Sequence, residues 1–516
     1  MVLLLWVFAF FFADFAIRAL YASGLELEPF RYFADNPHHR SKIGAPMAES
    51  RKSIHGSWSN RLAFVLAATG SAVGLGNIWK FPYIAGEHGG GAFVLVYLAC
   101  IATIGIPIMM AEVMLGRRGR QSPINTMRTL ATEAGAHRGW RWLGWAGVLA
   151  GFLILSYYSV IAGWALAYVF RAVAGTFSGA TAEGIGSIFE QLTGDPERLL
   201  AWHTLFMVLT MIVVARGVRS GLEQAVRFMV PALFVILIML DGYAMASGAF
   251  DQGLKFLFNP DFSKIDANGV LIAMGHAFFT LSLGMGAIMV YGSYLPERVS
   301  IARTSVTIAL LDTLVALLAG MAIFPIVFVN GLEPGAGPGL IFQTLPIAFG
   351  HMTGGLLFGT LFFVLLVFAA WTSAISLIEP AVAWLVENHG LTRVHASVYA
   401  GIATWTFGLL TIFSFNHWSE FHPLWFISIF EKATLFDLLD YLTANIMLPL
   451  GGLFIALFSV WVMKRDDSLQ ELDMGDGPAY RLWYSLVRYV TPIAVLVVFL
   501  NVTGLVDFSG LLGLAE

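Results

Sequence analysis

Charge and sulfur are scarce in this sequence of 516 residues. Asp, Glu, Lys and Arg together make up 12% of it, and there is one cysteine, Cys100. A lone cysteine excludes an intrachain disulfide framework and a cysteine-based metal site. A net charge of -4 argues against a nucleic-acid partner, which would call for a basic face. Hydrolase signatures are also thin. His88-Gly89-Gly90-Gly91 resembles an esterase oxyanion motif, but no G-x-S-x-G nucleophile elbow occurs anywhere in the chain. What the sequence does have is apolar surface: 58% of residues are hydrophobic and the mean hydropathy is +0.76. Soluble domains are roughly half apolar and a quarter charged, so this composition specifies a polytopic membrane protein; it reads as all-α, and with no nucleophile elbow no enzymatic role is expected.

Runs of about 20 apolar residues, the length a helix needs to cross a bilayer, fall near 62–83, 91–115, 142–171, 200–215, 226–248, 269–294, 304–329, 355–386, 394–415, 434–463 and 482–503. These eleven spans alternate with short loops. Nineteen lysines and arginines fall in the segments on the side of residues 51–61, against five on the other side. The positive-inside rule therefore makes the start of the first span cytoplasmic. Residues 1–46 are hydrophobic at first but lack a basic n-region and are interrupted by Asp14 and Arg18. They read either as an extra surface helix or as sequence before a translation start at Met47, with 47–61 as a cytoplasmic lead-in.

Two spans contain residues that break helices. Gly70 to Pro82, GSAVGLGNIWKFP, places three glycines, an asparagine and a proline inside the first, and Ala277 to Tyr294 places Thr280, Ser282, Gly284 and Gly286 in the middle of the sixth. Backbone polar groups freed at membrane depth are tolerated only where protein or a cavity satisfies them. Breaks in corresponding spans of two halves mark an inverted repeat, with the ligand site where the breaks meet. Gly70 and Gly74 also fit the small-residue pattern of close helix packing.

The run WSNRLAFVLAATGSAVGLGNIWKFPYIAGEHGGGAFVLVYL, with GIPIMMAEVMLGRRG, AFFTLSLGMGAI and FAAWTSAISLIEP, closely resembles the neurotransmitter:sodium symporter family, in its bacterial amino-acid transporter branch. The likeness extends from Trp58 to the eleventh span. It implies two inverted five-helix repeats (62–248 and 269–463) followed by an eleventh helix at 482–503, and sodium-coupled symport by alternating access. A sodium-dependent amino-acid sensor or a channel-like protein would use the same fold.

The same resemblance distributes roles. Sodium site one takes Ala72, Asn77, Thr280 and Asp312, and sodium site two takes Gly70, Val73, Ala369, Thr372 and Ser373. Read alone, Thr372 and Ser373 are hydroxyls bonded back to their own helix. The substrate would meet Ser71, Ala72, Leu75, Gly76, Ile154, Tyr158, Phe279, Thr280, Ser282, Met285, Ser373 and Leu377. Monoamine relatives carry an aspartate where this chain has Gly74, so the ligand must bring its own carboxylate, as an alpha-amino acid does. The side-chain subsite is apolar, which favours a neutral, hydrophobic one. Asp312 supplies a fixed negative charge beside sodium, and Ala316 lacks the serine of chloride-dependent relatives, so transport is expected to be independent of chloride. His276 reads as a buried polar histidine, an anion contact or a proton-linked group. An outer gate would pair Lys80 with Asp440. At the inner end Glu387 would accept from His55, Lys52 or Arg51.

Overall fold

The computed structural model describes residues 51–332, 339–427, 430–502 and 506. The expected N-terminal extension, residues 1–46, lies outside the described residues. The chain divides into Met1–Lys52 and Ser53–Glu516, and the architecture below is that of the second unit.

Helices account for nearly all of it. Nine are long and apolar enough to cross a membrane among the described residues, and a tenth crossing is a bent pair, Arg61–Ala72 and Gly76–Glu87, meeting at 51°. The sixth span is also split, into Ala267–Thr280 and Ala287–Ser293. Neither half is long enough to cross alone, which is the behaviour its glycines and hydroxyls predict. Several spans extend beyond their apolar cores. The fifth begins at Val218, eight residues before the expected start at 226, because the polar VRSGLE turn continues the helix.

Short polar residues start the helices. Asn60 accepts from the Ala63 amide at 2.9 Å to begin the first span, and Asp195 accepts from the Glu197 and Arg198 amides at 3.1 Å to begin the fourth. Each satisfies a backbone donor that has no partner within the helix.

The third span, Arg138–Val173, and the eighth, Gly355–His389, are the most buried and pack together along the axis of the bundle. Small residues set their approach. A Cβ on Gly151 would lie 2.8 Å from the Leu377 carbonyl oxygen, and one on Gly70 would lie 3.2 Å from Thr372 Cβ. Without a hydrophobic drive between helices in lipid, such close backbone contact is what association rests on. It also brings the first span, at its break, directly against the eighth.

Candidate functional site

The first break begins after Ala72. Val73 is extended, with φ -69° and ψ 106°, so the carbonyls ahead of it lose the partners that a continuing helix would supply. They converge on the eighth span. Ser373 Oγ lies 3.4 Å from the Gly70 carbonyl oxygen, 3.1 Å from that of Ser71 and 3.3 Å from that of Val73. The neighbouring Thr372 Oγ donates to Ala369 O at 3.0 Å and Phe368 O at 3.1 Å. The two hydroxyls therefore differ: Thr372 bonds back to its own helix, whereas Ser373 reaches across to the unwound segment. Ser373 with the Gly70, Ser71 and Val73 carbonyls, and beside it Thr372 with the Ala369 carbonyl, make two adjacent sets of neutral oxygens that are not bonded to each other through these hydroxyls.

A second cluster lies on the far side of the break. Asn77 Nδ2 donates to Asp312 Oδ1 at 2.8 Å and to Thr280 Oγ at 2.9 Å, and Thr280 Oγ donates to Asp312 Oδ2 at 3.0 Å. Asn77 Oδ1 accepts from the Gly74 amide at 3.0 Å, tying the cluster to the broken backbone. Asn77, Thr280 and Asp312 are all fully buried. A carboxylate at this depth is costly unless paired, and here two side-chain donors meet it, Asn77 Nδ2 and Thr280 Oγ.

Between the clusters lies a small cavity. It is lined by Ser71, Ala72, Gly74, Leu75, Gly76, Ile154, Tyr158, Phe279, Thr280, Ser282, Met285, Ser373 and Leu377, and has about 30 Å³ of free space. All twelve residues assigned to substrate contact line it, together with Gly74. That volume holds roughly two water molecules, so a larger occupant must displace side chains, and half-buried Phe279 is the least confined of the apolar ones. The Leu75 amide donates to Tyr158 Oη at 3.2 Å. A Cβ on Gly74 would lie 2.6 Å from Ser373 Oγ and 2.9 Å from Tyr158 Oη. The absence of a side chain at 74 is thus a steric requirement as well as a missing charge.

The second break is strained where it meets the first. Ser282 has φ +54°, a left-handed conformation that non-glycine residues rarely adopt. Its hydroxyl donates to the Ser71 carbonyl at 2.9 Å, joining the two breaks. Strain of this kind costs about 1–3 kcal/mol and persists only where surrounding contacts impose it. One of them is Glu112, which the sequence reading did not single out: its Oε2 accepts from the Gly284 amide at 3.1 Å. The available signal was a carboxylate inside the apolar run IPIMMAEVMLG.

Both ends of the passage carry ion-pairing groups. At the end of residues 53–61, His55 Nε2 lies 3.1 Å from Glu387 Oε1, and Glu387 also accepts from the Ser122 amide and from Asn125 Nδ2, each at 2.7 Å. Beside it, Tyr294 Oη donates to Glu379 Oε1 at 2.8 Å and Arg393 pairs with the other oxygen of Glu379. This triad was also missed: Glu379 lies in FAAWTSAISLIEP and Tyr294 ends the sixth span, but they are 85 residues apart and nothing in either segment relates them. At the opposite end the structure does not bring Lys80 and Asp440 into an ion pair among the described residues. Lys80 Nζ instead lies 4.9 Å from the centroid of the Phe279 ring, a cation–π contact at the cavity roof. Tyr83 lies within electrostatic range of both Lys80 and Asp440. His276 is buried against Phe81 and Tyr97, with ring centroids at 6.0 and 5.6 Å.

Known proteins resemble this chain in sequence and fold. The sequence pattern of the Sodium:neurotransmitter symporter family matches residues 55–184 and 183–510. An uncharacterized sodium-dependent transporter of Bacillus subtilis, YhdH, is 38% identical over 454 residues, covering 87% of this chain and 98% of its own length. A sodium-dependent transporter of Haemophilus influenzae is 35% identical over 86% of this chain and 97% of its own. Among solved structures, the crystal structure of MhsT in complex with L-phenylalanine superposes with a TM-score of 0.80 at 43% identity, over 87% of this chain and 99% of that one. Two inverted five-helix repeats with broken first and sixth spans, a sodium-dependent set of relatives and the matched pattern have one reading: the chain is a multi-span membrane transporter, not an enzyme, and belongs to the sodium:neurotransmitter symporter family.

Proposed function

We propose that this transporter imports a neutral, hydrophobic alpha-amino acid together with two sodium ions, without chloride, by alternating access. One observation carries the reading: Thr280 and Ser373 line the cavity and also belong to the two oxygen clusters. A ligand in the cavity therefore shares atoms with both ion sites, and binding of each favours the state the other binds.

In this reading sodium site one is formed by Ala72, Asn77, Thr280 and Asp312 and completed by the substrate carboxylate. Gly70, Val73, Ala369, Thr372 and Ser373 form site two. The carboxylate also meets the half-helix start at Leu75 and Gly76, where the dipole favours anions, and Tyr158 Oη. The ammonium faces the freed carbonyls of the two breaks. None of the thirteen lining residues is charged, which leaves Ile154, Phe279, Met285 and Leu377 to receive an apolar side chain. Met285 repacks readily around different shapes. The phenylalanine bound to MhsT is a ligand of this class.

The His55–Glu387 contact closes the inner end, which the excess of basic residues places in the cytoplasm. Lys80 moves from the Phe279 ring to Asp440 as the outer end closes over substrate. A lysine lacks the bidentate fork of arginine, so this outer pair holds more loosely. Two sodium ions crossing a tenfold gradient and 100 mV release about 7 kcal/mol, enough to concentrate the amino acid strongly. Equilibrium binding of labelled phenylalanine or leucine to the purified protein, in sodium and in potassium, tests the site. Saturable binding in sodium alone is expected, and equal binding in potassium would refute the shared-atom coupling.

A further inference from the structure

We propose that a groove between the start of the third span and the middle of the tenth binds an anionic phospholipid. One wall is Trp140, Trp142 and Leu143, and the other is Met447, Leu450 and Phe454, enclosing about 470 Å³. Apart from His137 its lining side chains are apolar or aromatic, as an acyl chain requires. Trp140 packs edge-on against Phe454 and Phe458, with centroids at 6.3 and 5.2 Å. Trp142 and Phe454 remain 61% and 42% exposed, an aromatic surface turned away from the bundle. Tryptophans at this level of a span favour the headgroup zone of the bilayer.

The mouth of the groove is basic. His137 lines it, and Arg138 and Arg141 flank Trp140 in the sequence. The Arg141 guanidinium lies 5.3 Å from the Trp142 ring. Neither arginine makes an ion pair among the described residues, and the nearby Glu133 is engaged with Arg118 at 3.5 Å. Two guanidiniums without carboxylate partners, adjacent in sequence to the lining Gly139, Trp140 and Trp142, and the lining imidazole of His137 complement a phosphate attached to a hydrocarbon chain. A guanidinium offers a phosphate two parallel hydrogen bonds, and basic pockets between spans on the cytoplasmic side take anionic headgroups. A zwitterionic lipid offers the same phosphate but also a quaternary ammonium of the arginines' own sign, so it compensates the basic residues less.

The floor of the groove adjoins the transport site. Gly451 lines it, and a Cβ there would lie 2.6 Å from the Gly284 carbonyl oxygen in the second break. An acyl chain in the groove thus presses the tenth span against the segment that carries Ser282 and Met285.

The test is native mass spectrometry of the purified full chain titrated with phosphatidylglycerol or phosphatidylcholine. Phosphatidylglycerol should bind at least tenfold more tightly. Arg138→Gln and Arg141→Gln should each weaken it by roughly fivefold and weaken phosphatidylcholine by less, and retained phosphatidylcholine binding also serves as the folding control. Leu450→Trp, which fills the trough, should weaken both lipids. Equal affinity for the two lipids, or a phosphatidylglycerol preference that survives the double arginine substitution, overturns the proposal.

Discussion

Replacing Gly74 with alanine should disable the transport site while leaving the helices around it intact. The added Cβ would lie 2.6 Å from Ser373 Oγ and 2.9 Å from Tyr158 Oη, closer than real Cβ contacts come. Gly74 is not among the positive-φ glycines, so the penalty is steric and not a backbone one. Neither neighbour yields freely: Ser373 is held by three carbonyls of the break and Tyr158 by the Leu75 amide. Overpacking costs about 1–3 kcal/mol, and a lost hydrogen bond adds about 1 kcal/mol. Substrate affinity should therefore fall by roughly 30- to 700-fold. Gly76→Ala is the comparison. There the Cβ would meet the Phe279 ring at 3.1 Å, and a half-buried ring can swing aside, so the loss should be about tenfold or less. Equilibrium binding of labelled amino acid at saturating sodium measures both. Wild-type affinity in Gly74→Ala, or a larger loss in Gly76→Ala, would refute the reasoning.

Asp312→Asn removes the carboxylate that accepts from Asn77 and Thr280; sodium affinity should fall by about 10- to 100-fold, in line with charged hydrogen bonds, and uptake should become stimulated by chloride over gluconate, whereas a strict chloride requirement in the unmodified protein would contradict the assigned charge balance. Ser373→Ala deletes the hydroxyl shared by the Gly70, Ser71 and Val73 carbonyls, and the sodium dependence of uptake should shift about fivefold or more to higher concentration; an unchanged sodium curve would remove Ser373 from the ion site. Glu379→Gln removes a fully buried carboxylate from the partly buried Arg393. That should destabilise the protein by about 1.5–3 kcal/mol and lower its thermal midpoint more than Tyr294→Phe does, which removes one hydrogen bond from the same group.

The broken spans are readable in sequence because membrane chemistry leaves few reasons for glycine, asparagine and serine to interrupt an apolar run, and the interruptions at Gly70–Pro82 and Ala277–Tyr294 fall in paired positions. The residues that support those breaks are harder to read. Glu112 is conspicuous as a carboxylate in an apolar helix, yet its partner is the main-chain amide of Gly284, 172 residues away, and no periodicity in either segment relates them. Glu379 and Arg393 are close in sequence but sit on different helices, and their shared partner Tyr294 comes from the end of the sixth span. Helix ends were misplaced where polar turns continue a span, as at Val218. Lys80 over Phe279, away from Asp440, is a choice between two partners that the spacing of these residues in the sequence does not decide. Ser282 illustrates the same limit: its type is ordinary, and only its backbone angle marks it as the strained link between the breaks.

Coupling of amino-acid movement to sodium is tested most directly in proteoliposomes holding the purified protein. Labelled phenylalanine or leucine is supplied outside with an inward sodium gradient, and internal label is followed over time. Accumulation above the external concentration is predicted, with collapse when sodium is equalised across the membrane or replaced by potassium. Accumulation that persists without the gradient, or saturable binding with no accumulation at all, would contradict sodium-coupled import.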